Sequence, residues 1–192
     1  MKLLLSLLIL LSNIQLLQLE SITLEQLIQV EQPKGFKLYR NTGLGVSLST
    51  DLYSNANMYS FDVINGELKS SDGIEVETEY FIDKKTQFVK FISYTLSPIS
   101  TVLNEVLDKK IEDEKVIEKM FKDEGKSDVY QEKINQLMNL IQKELSEFEQ
   151  YDSSTSTRLK SKKYKQGLVQ VTVNSMLEES YVSKIKVYVS FN

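Results

Sequence analysis

Residues 74–98 read IEVETEYFIDKKTQFVKFISYTLSP, and the change of period inside this stretch decides the fold. Ile74, Val76, Thr78 and Tyr80 alternate with Glu75, Glu77 and Glu79, the pattern of a strand with one face buried and the other wet. Residues 83–86 (Asp-Lys-Lys-Thr) read as a turn, and 87–96 as a second strand rich in β-branched and aromatic residues. At Ser97-Pro98 the alternation stops. Serine suits an N-cap and proline the first helical position, where its missing N–H is no loss. Leu103, Leu107, Ile111, Ile117 and Phe121 then follow as an interrupted apolar face at helical spacing.

Working outward, Asp72-Gly73 and Asn65-Gly66 carry the residue types of two-residue hairpin turns, which need positive φ. With candidate strands at 46–50, 58–64 and 67–70, they predict an antiparallel meander. On the other side, Gly125 is expected to stop the first helix and Asp128 to cap a second. That helix carries Ile134, Leu137, Ile141, Leu145 and Phe148 on one face. The short link predicts an antiparallel helix pair. Residues 152–166 read as a polar, basic connector, and alternating strands at 167–174 and 181–191 close the chain. The expected fold is α+β, one domain over residues 21–192: an antiparallel β-meander packed with an antiparallel helix pair, two C-terminal strands completing the sheet.

The N-terminus asks for a separate reading. Lys2 precedes an apolar run at 3–11 broken only by Ser6, and polarity rises at Ser12, Asn13, Gln15 and Gln18. That layout predicts a secretory signal peptide over residues 1–20, cleaved at or before about Ser21. An uncleaved anchor and an ordinary buried helix are the alternatives. Residues 3–19 would reach only about 26 Å as a helix, against roughly 30 Å of hydrocarbon. Thr23 and Gln26 have capping-box spacing, so a new helix is expected to start there, ahead of Pro33 and Gly35.

Composition removes several chemistries. The 192 residues include no histidine and no cysteine, so thiol catalysis, disulfides and zinc sites of the Cys/His kind are excluded. The commonest proton-transfer side chain near neutral pH is also missing. A net charge of −4 speaks against a nucleic-acid partner. No Asn-x-Ser/Thr acceptor occurs, and no cofactor motif does either; Gly43-Leu-Gly45 lacks the residues that complete a phosphate loop.

Three constellations remain. Glu75, Glu77 and Glu79 form a carboxylate row, read as a solvated face eased by Lys184 and Lys186 if their strands are neighbours. A hard-cation site or an acid/base pair is the sharper alternative. Arg158, Lys160, Lys162, Lys163 and Lys165 are a candidate contact for an anionic partner, with Lys162-Lys163 alternatively a processing site in an exposed loop. The helix pair, through its second stripe, is a candidate contact for a protein partner or for self-association. The leading functional expectation is a secreted, non-enzymatic module holding a small apolar ligand or lipid between sheet and helices. The alternatives are a structural or interaction protein of a granule or cell surface, and an enzyme using carboxylates alone.

Overall fold

In the computed structural model the described residues are 23, 25, 26, 29, 37–40, 61–69, 73–83, 86–179 and 181–191. Four strands come first: β1 (Lys37–Arg40), β2 (Phe61–Lys69), β3 (Ile74–Asp83) and β4 (Val89–Pro98). Three helices follow: α1 (Val102–Lys109), α2 (Glu114–Lys126) and α3 (Asp128–Glu144), the last running into a 3-10 turn at Leu145–Glu147. Four strands then close the chain: β5 (Glu149–Thr155), β6 (Leu159–Gln166), β7 (Val169–Glu178) and β8 (Tyr181–Phe191). All eight join one antiparallel sheet in the order β1-β2-β3-β4-β8-β7-β6-β5. Two four-strand meanders thus meet at a β4–β8 seam, and the helices carry the chain from the centre of the sheet to its far edge.

The α+β architecture is as expected, and the alternation of residues 74–82 works as predicted. Tyr80, Ile92, Val189, Val171 and Tyr164 lie in one row across β3, β4, β8, β7 and β6. All five are buried in the core with Ile134, Leu137, Ile141, Leu145 and Phe148 of α3 and the turn after it. The α3 stripe is therefore core, with the charged side of the helix turned out. The opposite sheet face is polar along β3 but carries an aromatic trio. Phe81 and Phe91 rings lie 5.1 Å apart edge to face, and Phe91 stacks on Tyr188 at 5.7 Å.

Five expectations need correction. First, the 152–166 connector is two strands, so four C-terminal strands complete the sheet instead of two. An edge strand needs no apolar face, and β5 is exposed along its whole length. Second, Asn65-Gly66 is not a turn: Gly66 is buried mid-strand, paired with Leu38 and Thr78. Third, Pro98 ends β4 instead of starting a helix; α1 begins four residues later. Fourth, the first helical segment is two helices. Lys110 adopts left-handed φ 51° and closes α1, and the Asp113 carboxylate caps α2 by accepting from the Lys115 and Val116 amides. Fifth, Gly125 does not stop α2. It lies one residue before the helix end, because a Cβ there would come within 2.5 Å of the Tyr181 ring. Ser127 makes the break, closing α2 and capping α3 through the Tyr130 amide.

The Thr23 capping box is present: the Thr23 amide donates to Gln26 Oε1 at 2.9 Å, and the Gln26 amide donates to Thr23 Oγ1 at 3.3 Å. Gly73 lies just before β3 with the positive φ expected of it, +75°, while Asp72 lies outside the described residues. The leader at 1–20 and the candidate strand at 46–50 lie outside the described residues. No helix among the described residues is long and apolar enough to cross a membrane.

Candidate functional site

Strand geometry sorts the five basic residues that the sequence placed in one run. Lys163 and Lys165 point to the face away from the helices, beside acids of β5. Lys163 Nζ lies 2.9 Å from Asp152, and Lys165 Nζ lies 3.2 Å from Glu149 and over the Tyr151 ring. The Lys163 ammonium holds the Asp152 carboxyl below its usual range. Lys160 and Lys162 fall on the helix side, where their β5 partners are Thr155 and Ser153. Neither forms an ion pair among the described residues. Arg158 sits exposed beside the tip turn. The dibasic pair lies in a strand hydrogen-bonded on both sides, so its backbone is not the loose loop a processing protease needs.

The glutamate row also lands differently. Glu75, Glu77 and Glu79 do share the face away from the helices, opposite Ser97, Thr95 and Ser93 of β4. Lys186 is reached only one strand further on, across Thr95, because β4 separates β3 from β8. The carboxylates run along one strand at about 7 Å spacing and do not converge on a point. Among the described residues no group of three or more acidic side chains is placed to hold a metal ion.

A polar clasp where α1, α2 and α3 meet the β7–β8 turn escaped sequence reasoning altogether. Glu124 near the end of α2 accepts from Ser100 Oγ (2.5 Å), the Thr101 amide (2.8 Å) and Thr101 Oγ1 (2.8 Å). Burial pushes its carboxyl up, but these donors outweigh burial and leave it below the ordinary glutamate value. Glu179 in the turn meets Lys122 and, at 2.7 Å, Lys126; hydrogen bonds from both ammoniums pull its carboxyl down to about 2. Gln131 reaches the start of β8, donating to the Gly125 (2.7 Å) and Val182 (3.0 Å) carbonyls and accepting from the Val182 amide. Tyr130 donates to the Ser183 carbonyl at 2.6 Å, and Tyr181 donates to Glu178 at 2.9 Å. Burial first, then the nearby carboxylates, pushes both phenols up to about 12. They are donors at neutral pH and not nucleophiles. The clasp holds elements together; it is not arranged for proton transfer.

The clasp carries a helical arm that buries little. Val102 is the only fully buried side chain of α1, whereas Leu103 and Leu107 are 59% and 74% exposed. Val116 and Phe121 of α2 and Val129 of α3 are exposed too. The uncovered stripe is thus on the first helical segment, while the α3 stripe is covered. No signal in the sequence marks the clasp, since its partners lie up to 53 residues apart. Comparison with known proteins gives no match: no family model, no curated protein and no solved structure matches the chain.

Proposed function

We propose that the protein is a non-enzymatic interaction module of the secretory pathway or cell exterior, which docks through the α1–α2 arm. The observation that carries this is the exposure of Leu103 and Leu107, one turn apart on an eight-residue helix. A helix this short is not stable in water by itself, and here one buried side chain, Val102, and the Glu124 contacts attach it. Burying a leucine is worth about 1.5–3 kcal/mol, so a partner covering both gains a sizeable contact. The N-terminal layout of Lys2 and the 3–11 apolar run supports the compartment. A second copy of the chain is the simplest partner for such a stripe. Sedimentation over two decades of concentration tests this: mass rising with concentration in the wild type and fixed at the monomer in Leu103→Gln/Leu107→Gln supports it. A wild type and variant that sediment identically overturn self-docking through this face.

A second reading is a module for a small apolar ligand or lipid held between sheet and helices. One observation favours it. Thr78 is buried on the helix side, and its hydroxyl has no hydrogen-bond partner among the described residues. It lies opposite Tyr94, whose ring meets that of Tyr80 edge to face at 6.4 Å. An unmet buried hydroxyl costs about 1–3 kcal/mol, which the polar end of a ligand would relieve. Native mass spectrometry of protein from a secreting host tests it, retained mass and a melting rise with added lipid being the supporting result. The carboxylate-only enzyme takes no support from Glu75, Glu77 and Glu79, which are spread along a strand.

A further inference from the structure

Two rows of the sheet change character at their far end. Val76, Leu96, Ile185 and Ser175 run across β3, β4, β8 and β7 on the helix side, and the row ends in Lys160 and Thr155. Beside it Thr78, Tyr94, Val187 and Val173 end in Lys162 and Ser153. Up to β7 these rows are buried or nearly so. At β6 and β5, Lys160, Ser153 and Thr155 are exposed and Lys162 half-buried. The helical layer therefore covers the base of the last hairpin at Tyr164 and leaves its outer part as a shelf of ammonium and hydroxyl groups.

From this arrangement we infer that the helix-side face of the β5–β6 hairpin binds a linear sulfated polysaccharide. Lys160 and Lys162 are about 7 Å apart on one strand face, each beside a hydroxyl that can donate to the same oxyanion. The contrast with the other face is internal to the hairpin. There the same two strands set Asp152 and Glu149 against Lys163 and Lys165, and the charge is spent within the protein. On the helix side the lysines face hydroxyls, so their charge is left for a ligand. Arg158, exposed two residues before Lys160, extends the cationic run toward the tip. A lipid surface would want an apolar group entering it beside the lysines. The exposed neighbours here are Ser153 and Thr155, which suit a hydrated, oxygen-rich chain. This site is independent of the α1–α2 arm.

The test is retention of the full chain on an immobilised heparin-class polysaccharide, with the dissociation constant followed against salt. Lys160→Gln/Lys162→Gln should weaken binding about tenfold and reduce the salt slope by about two ions. Lys163→Gln/Lys165→Gln removes the same formal charge and should change affinity by less than about twofold. Ser153→Ala/Thr155→Ala keeps the charge and should lose a smaller part of the affinity. Circular dichroism confirms that each variant is folded. Equal losses in the two lysine pairs would reveal general surface charge and overturn the assignment. So would a wild type that is not retained, or one that prefers phosphatidylserine vesicles or duplex DNA to the polysaccharide.

Discussion

Glu124 caps a helix it does not belong to. Thr101 precedes α1 with its own side chain making no cap bond, and its amide donates instead to a carboxylate near the end of α2. Charge-assisted bonds of this kind are worth about 1.5–3 kcal/mol when both sides are desolvated, and less at a half-exposed site such as this one. The carboxyl lies below the ordinary value of 4.5 in the folded state, so the unfolded chain binds the proton more readily. The stabilisation is therefore fully present above pH 4.5 and is lost as the pH falls through the lower folded value. Glu124→Gln should melt below the wild type at pH 7. The gap between the two should be constant from pH 6 to 8 and should narrow steadily below pH 4.5. Thermal melts of both proteins across that range decide it, and an undiminished gap at pH 3 would sink the account.

At the scale of elements, Gln131 of α3 finishes a strand. β4 pairs with β8 only between Phe91–Leu96 and residues 185–190, so the first residues of β8 have no β4 neighbour. The Gln131 amide occupies that place, meeting the Val182 N–H and C=O as a paired strand would, while Tyr130 takes the Ser183 carbonyl. Gln131→Ala leaves the half-buried Val182 groups to be satisfied by water and should cost about 0.5–1.5 kcal/mol. Hydrogen exchange at the Val182 amide should accelerate well beyond that at Val187, deeper in the same strand; equal acceleration at both would mean general loosening instead. None of this is visible in the sequence, where a glutamine on a helix reads as solvent-facing. Elements whose faces differ in polarity were legible: β3, β7, β8 and the α3 stripe follow from alternation and 3–4 spacing. β5 and β6 were not, because a polar edge hairpin lacks the apolar contrast by which strands are recognised. The basic residues could be seen, but not their division between two faces, which depends on strand pairing. Asn65-Gly66 has the residue types of a turn yet lies mid-strand, because pairing with β1 and β3 on both sides decides there and a residue pair does not reveal it.

Across the whole molecule the two meanders mirror each other about the β4–β8 seam, yet each half has only part of a core. The buried cluster takes Ile74, Val76 and Tyr80 from the first meander, Val171, Val173 and Tyr164 from the second, and α3 from between them. Neither half can bury its apolar face alone, so unfolding should be a single cooperative event. The seam joins residues such as Tyr94 and Val187 that lie nearly half the chain apart. Closing so large a loop costs entropy before any contact across it stabilises the fold, whereas the β3–β4 and β7–β8 hairpins form from neighbours. The seam should therefore close late. Val187→Ala, at a buried position paired on both sides, should cost roughly 1–3 kcal/mol of stability. Most of that loss should appear as faster unfolding, with the folding rate nearly unchanged. Stopped-flow denaturant jumps read both rates. Helix ellipticity and tyrosine near-ultraviolet signals should move through one shared midpoint in the wild type and the variant. A folding arm slowed by the full loss would place the seam in the folding nucleus. Separate midpoints for the two signals would mean that the halves fold independently, and the shared core would then not be what holds the sheet together.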